Sequence, residues 1–458
     1  MGSGEWGCCS QSKIGRNTHR TFGTRLRTKT LLPAPCSLLP FLFCYLFSGC
    51  ASFPAPSRPV VIPEDFAGIV HAGQTNTPRE YALLDRMGAS WILTTFNWDQ
   101  IEKEEGKWNF EYYDKYVDTA KTAEKKIIGV LGYDVPWIHK DGKARKYIPP
   151  DKVRLYLNFV QKTAEHFKGR VDAWCIWNEP NFIFWKGSRD EFLSLARQAA
   201  DALREIDSDV ILLGGAFNRG IFGLPAAYIK GLFESGAMDK ADAVAFHPYE
   251  LNPNRTTKLF LEFRALTAKY GFEDRIWITE AGYPTGGWYP TAVSEKEFPA
   301  YIVKTFTGLA INGAKKVFWY QLFDPLERSK SNSENYFGLV RSEDDYTSKG
   351  AEAFRLCALY FSGATYHPDL PLRNNLPNTL RSFYFEQPSG VRALVLWKDG
   401  GTISLMVQAS ENGYTRHDIV TGKTETITAQ TPIAVGKVPV FITWQGGAAP
   451  SLQIKLKS

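Results

Sequence analysis

Beyond its first fifty residues the chain has almost no cysteine: Cys8, Cys9, Cys36, Cys44 and Cys50 fall in or at the edge of that stretch, and only Cys175 and Cys357 follow it. This excludes a disulfide framework and a cysteine-based zinc pattern, and both remaining thiols read as small buried hydrophobes. The seven histidines show no close paired spacing, so no metal is expected, and no organic cofactor either. An excess of positive charge is also missing from the body. Of the net +6, Lys13, Arg16, Arg20, Arg25, Arg27 and Lys29 against Glu5 account for most, leaving about +1 for the rest. Nothing there asks for a nucleic-acid partner. Internal repeats and heptad arrays are absent as well.

The early cations precede an apolar run, Leu31 to Phe47, broken by Pro33, Pro35 and Pro40 and closed by Ser48, Gly49, Cys50, Ala51 and Ser52. Residues 1–50 thus read as an export signal, too short and too proline-broken for a transmembrane helix. The small residues around Cys50 resemble the bacterial lipoprotein signal, which implies lipidation of Cys50, attachment to a membrane and a place in the bacterial cell envelope. Residues 51–63 carry four prolines and read as a spacer.

With 44% hydrophobic and 14% aromatic residues, a disordered or fibrous chain is excluded. From Phe66 onward short apolar runs alternate with helical patterns. Candidate strands are Phe66 to Ala72, Trp91 to Phe96, Lys126 to Gly132, Ala173 to Trp177, Val210 to Gly215, Ala243 to His247, Arg275 to Thr279 and Lys316 to Leu322. Helical periodicity spans Asp151 to Phe167, Asp190 to Ile206, Thr257 to Tyr270 and Glu295 to Asn312. Eight strands alternating with helices predict a (β/α)₈ TIM barrel over residues 64–362. After Gly363 come short β-rich runs: Leu380 to Glu386, Val391 to Lys398, Thr402 to Gln408, Tyr414 to Val420 and Val440 to Gln445. They predict a small antiparallel β domain over residues 363–458.

Two predicted strands end in glutamate, Glu179 after Ala173-Trp-Cys-Ile-Trp-Asn and Glu280 after Arg275-Ile-Trp-Ile-Thr. A carboxylate at the tip of an apolar strand is costly to desolvate, and glycoside hydrolysis needs two such groups, one protonated and one ionised. Trp177-Asn178-Glu179-Pro180 on the fourth strand and Thr279-Glu280 on the seventh resemble the signature of clan A glycoside hydrolases. The stretch from Trp98-Asp-Gln-Ile-Glu through Gly106-Lys-Trp-Asn-Phe to Tyr113-Asp is most similar to family 39, next to family 5.

The resemblance implies Glu179 as general acid/base and Glu280 as nucleophile. Asn178 would bond the sugar 2-hydroxyl, His247 and Tyr249 would face the site from the sixth strand, and Trp319 would form an aromatic floor. Catalysis asks Glu280 to stay ionised and Glu179 to have a raised pKa. Trp137, Trp185, Trp288 and Tyr289 fall in loops after strands three, four and seven and suggest further sugar subsites, with His71 a candidate for the innermost one. Family 5 members often carry an arginine at the end of strand two; here that stretch reads Thr94-Thr-Phe-Asn97, so support for the nucleophile must come from elsewhere.

The expected protein is therefore an exported, lipid-anchored, monomeric retaining glycosidase acting on an oligo- or polysaccharide. The rivals are a transglycosylase using the same covalent intermediate and a non-catalytic carbohydrate-binding lipoprotein. If Cys50 carries the anchor, Cys50→Ser moves the protein from the membrane to the soluble fraction with its fold unchanged, because only a lipid and its thioether are lost; continued sedimentation with membranes would exclude the anchor.

Overall fold

The computed structural model describes residues 54–219, 223–368, 377–408, 413–428, 431–446 and 451–454. The export segment 1–50 and its Cys50 lie outside these. After a short strand β1 (Val60–Val61), eight parallel strands close into a barrel: β2 (Ala67–Val70), β3 (Trp91–Asn97), β4 (Lys126–Gly132), β5 (Ala173–Ile176), β6 (Ile211–Asn218), β7 (Ala243–His247), β8 (Ile276–Ala281) and β9 (Lys316–Trp319). Closure is made by β2 against β9, with Ile69 opposite Trp319. The strands are apolar on both faces because one face fills the barrel and the other meets the surrounding helices.

Inside the barrel, three large rings sit among small residues. Trp91 meets Trp277 edge-on at 5.2 Å and Phe318 at 6.4 Å, while Ala173, Ala243 and Ala245 leave them room. A Cβ at Gly68 would fall on the Phe318 ring, so glycine is required there by the close approach of β9. At the base, Asp65 accepts from Trp91 Nε1 at 3.0 Å and Lys126 Nζ at 2.7 Å, and also from Lys316 Nζ. One carboxylate thereby ties β3, β4 and β9 to the chain entering β2.

The C-terminal domain continues with β10 (Thr365–His367), β11 (Leu380–Glu386), β12 (Val391–Lys398), β13 (Ile403–Gln408), β14 (Tyr414–His417), β15 (Thr424–Ile427), β16 (Pro432–Val435), β17 (Val440–Gln445) and β18 (Ser451–Ile454). They form a seven-stranded sheet, β1-β10-β11-β12-β17-β14-β15, facing a three-stranded one, β16-β13-β18. Alternation along β11 sends Tyr384 into the core between the sheets and Phe383 and Phe385 toward the barrel. Phe385 stacks on Phe361 of the helix Ala351–Phe361 at 4.3 Å. The stretch read as a spacer is not free of the body: Val60 and Val61 pair with Tyr366 and Thr365, Ile62 is buried, and Asn312 Nδ2 donates to the Pro54 carbonyl. Proline density marked irregular chain, and short pairing to a distant edge strand leaves no local pattern.

Burial raises the Asp65 carboxyl, but the bonds and charges of Lys126 and Lys316 outweigh it and hold it at about 2. Its contribution to stability is then present above the ordinary aspartate value near pH ~4 and is lost as pH falls through about 2. Asp65→Asn should lower stability by about 1–2 kcal/mol at pH 7 after allowance for solvent screening. In urea melts the gap from the wild type should close between pH ~4 and ~2; a gap independent of pH would show that the lysines do not hold this carboxylate.

Candidate active site

Strand β5 ends in a tight turn that aims Glu179 into the barrel mouth. Trp177 and Glu179 both have left-handed backbone, φ 67° and 44°, a conformation that costs a non-glycine residue about 1–3 kcal/mol and must be held by its surroundings. Trp177 supplies the hold. Its ring is fully buried against Tyr133, Tyr156 and Trp185, and its Nε1 donates to the Phe184 carbonyl at 2.7 Å. The Glu179 amide donates to Ala216 O at 3.0 Å, where β6 has its own left-handed residue, φ 48°. The register between β6 and β7 shifts here, which brings Asn218 up beside Glu179.

The two glutamates converge with a histidine. One atom each from Glu179, His247 and Glu280 lies within 4.8 Å of the others, and the three residues are buried, at 5%, 1% and 9% exposure. Glu179 Oε1 is 2.8 Å from His247 Nδ1 and accepts from Asn218 Nδ2 at 2.8 Å. His247 Nε2 is 2.9 Å from Thr279 Oγ1, and Nδ1 is 3.5 Å from Glu280 Oε2. A carboxylate only accepts, so these partners put a proton on Nδ1, while the Thr279 hydroxyl can accept from Nε2 or donate to it according to the charge of the ring. Tyr249 donates its phenol to Glu280 Oε2 at 2.8 Å, a support for this carboxylate that comes from the turn after β7.

Electrostatically the cluster departs from the division of charge expected from sequence. Burial raises the Glu280 carboxyl to about 7; His247 opposes the rise, Glu179 adds to it, the Tyr249 phenol opposes it, and Glu334 adds again. Burial would lower His247, but the charges of Glu280 and Glu179 and the bond to Glu179 raise it above the usual histidine range. The group expected to stay ionised is thus pushed up, because it is buried beside a second carboxylate. The same three side chains could hold a cation, which histidine spacing in the sequence did not suggest. Each already has a protein partner, and the imidazole lies between the two carboxylates.

Other expected site residues divide. His247 is 1% exposed and occupied on both nitrogens by Glu179 and Thr279, so it serves to position the carboxylates. Trp319 is a correction: fully buried, it packs on Phe298 and Phe306 of the helix Phe298–Ile311 and cannot form a floor. Its neighbour Tyr320, linked to Gln321 by a cis peptide, faces the mouth instead, near Tyr249 at 6.4 Å and His71 at 5.4 Å. Trp185 is also a correction, buried against Trp177, Tyr147 and Phe192 with Nε1 on Ser188 O.

Trp137 is half-buried on Trp98, with Nε1 on Glu102 O at 3.0 Å. Trp288 is 72% exposed beside Tyr289 and remains available as a platform. His71, held down to about 4 by burial, is a neutral imidazole at neutral pH. Asn178 hydrogen-bonds the phenol of Tyr133, which itself feels the charges of Glu280 and Glu179.

Sequence reasoning missed Asn218, Tyr133, Tyr320 and Glu334. Protein surrounds most of the Glu334 carboxyl, raising it, although one edge is open to solvent; Tyr320 OH donates to it at 3.2 Å. Asn218 and Tyr133 carried a signal, each being the first polar residue after an apolar strand run. Tyr320 differs from the expected Trp319 by one step, and Glu334 sits in a loop without pattern.

No family model matches the chain. It is 25% identical over 214 residues to the endo-1,4-beta-xylanase B of Thermotoga neapolitana; the match takes in 43% of this chain and 60% of that enzyme, less than two thirds of its length. Among solved structures, a family 39 glycoside hydrolase from Bacteroides cellulosilyticus superimposes with a TM-score of 0.67 at 19% identity, over 83% of this chain and 81% of the other. A family 39 beta-xylosidase from Caulobacter crescentus gives 0.63 at 14% identity, over 86% and 98%. The barrel and its β domain therefore have the fold of the family 39 glycoside hydrolases of clan A.

Proposed function

We propose that this chain is a retaining glycoside hydrolase that cleaves O-glycosidic bonds of an oligo- or polysaccharide by double displacement. The observation that carries the reading is the approach of the Glu179 and Glu280 carboxylates, with oxygens within 4.8 Å. Retaining enzymes hold the two groups about 5–5.5 Å apart, whereas inverting ones leave about 6.5–9.5 Å for a water. Tyr249 engages Oε2 of Glu280, which leaves Oε1 to attack the anomeric carbon. Glu179 gives its proton to the leaving oxygen as the glycosidic bond breaks and a glycosyl ester forms on Glu280. Glu179, now ionised, takes a proton from water, whose oxygen displaces Glu280 and restores the starting configuration.

Asn178 bonds the sugar 2-hydroxyl in this scheme, and Tyr320 with Trp288 and Tyr289 lines the groove. The named relatives act on β-linked xylose polymers and glycosides, which makes β-linked glycans the substrate class to test first. We place the enzyme, as a monomer, in the cell envelope on a Cys50 lipid. A transglycosylase would differ in passing the same intermediate to a sugar hydroxyl, which product analysis with excess acceptor distinguishes. No metal takes part in these steps, so overnight dialysis against a chelator should leave activity unchanged; loss restored by a divalent ion would overturn the scheme.

Glu280→Ala should lower turnover of every substrate at least about 10³-fold, and azide should restore it with inversion. Glu179→Ala should lose about 10²–10⁴-fold on poor leaving groups only, and azide should yield a glycosyl azide of retained configuration. Opposite stereochemistry from the two variants would reverse the roles. The raised Glu280 carboxyl places the acid limb of kcat/KM near pH 7, with activity rising as it ionises. Tyr249→Phe removes a donor that favours the charged form, so the limb should move to higher pH; no movement would remove Tyr249 from control of the nucleophile.

A further inference from the structure

Beside the catalytic cluster an ammonium group is held in place with no carboxylate among the described residues within ion-pair distance. Lys146 has left-handed backbone, φ 55°, and a buried carboxylate keeps it there. Asp134 accepts from the Lys146 amide at 2.7 Å through Oδ1, and from the Arg145 amide and His139 Nε2 through Oδ2. The Lys146 carbonyl in turn accepts from the amide of Lys186 at 3.0 Å, joining the loops after β4 and β5. So fixed, Lys146 Nζ lies 3.9 Å from the Phe184 ring centroid and 5.8 Å from that of Tyr133. Those two rings are stacked at 5.7 Å, and Tyr133 is the residue bonded to Asn178.

The Lys146 ammonium is half-buried, and among the described residues neither it nor Lys186 has an ion-pair partner within 4.0 Å. Burial and the neighbouring Lys186 both act against its charge, while Asp134 and Glu179 favour it. A cation–π contact with Phe184 alone returns about 0.5–1 kcal/mol, and a strained residue gripped from two sides is more than that contact needs.

We propose that Lys146 and Lys186 form a subsite for an acidic sugar residue, one bearing a carboxylate, beside the wall of Phe184 and Tyr133 next to the catalytic cluster. The proposal rests on the glycosidase reading and names the substrate class: a polymer carrying uronate or an equivalent carboxylated unit next to the bond that is cut. The carboxylate meets the two ammonium groups while its ring lies along Phe184 and Tyr133, the arrangement in which an apolar wall strengthens a charged hydrogen bond.

Binding tests this apart from hydrolysis. Calorimetry would compare oligomers of glucuronate, galacturonate and mannuronate, and uronate-branched xylo-oligosaccharides, each with its carboxyl-reduced neutral counterpart. At least one acidic form should bind roughly tenfold or more tightly than its counterpart, and the preference should shrink as salt is raised. It should disappear in Lys146→Met and weaken in Lys186→Met, survive in Lys146→Arg, and turn into discrimination against acid in Lys146→Glu, with circular dichroism reporting that each variant is folded. Equal binding of every acidic and neutral pair, or no binding of any acidic form, overturns the subsite. Hydrolysis of neutral aryl glycosides in that event would leave the glycosidase reading standing, while acid preference without hydrolysis of any glycoside would overturn that reading alone.

Discussion

Two carboxylates buried within 4.8 Å of one another repel strongly, and the site is arranged around that repulsion. In a low-dielectric pocket both cannot stay charged without help. The help comes from His247 between them, Tyr249 on one and Asn218 on the other. These three come from β7, the turn after it and the end of β6, so the balance of charge depends on strand register across the barrel. A one-residue slip in any of these strands would send its polar end residue into the helix layer.

The eight barrel strands were legible because a strand buried on both faces is a continuous apolar run, and the polar residue ending it is conspicuous. That reasoning located Glu179, Glu280 and the residues around them. It was blind to parity at strand ends. Trp319 and Tyr320 are both aromatic and adjacent, and pattern gave no means of deciding which one turned inward; the larger ring packed on the helix Phe298–Ile311. Trp185 misled for a related reason. A loop tryptophan looks exposed until the strained turn at Trp177 is seen to need a partner in the core. Glu334 and Lys146 were missed because loops have no period, and their importance arises from what the barrel brings beside them.

The β domain shows the reverse situation. Its run of apolar residues made Phe383, Tyr384 and Phe385 readable as strand, but the two faces of that strand serve two cores. Along β11, β12 and β17 the odd buried positions join the barrel's core and the even ones fill the sandwich. The second sheet's short strands β16 and β18, and the pairing of β1 with β10, went unread because two to four residues carry too little pattern to separate strand from turn.

That pairing of β1 belongs to a stretch that fastens the entering chain to the barrel. Pro54 is bonded to Asn312 at the end of the helix Phe298–Ile311, and Asp65 is locked to Lys316 at the start of β9. Both lie at the base of the barrel, opposite the mouth that holds Glu179 and Glu280. The entering chain is therefore tied to the end of the barrel remote from the glutamates. Neither fastening crowds the mouth, so the approach to Glu179 and Glu280 is left to the loops that follow the strands.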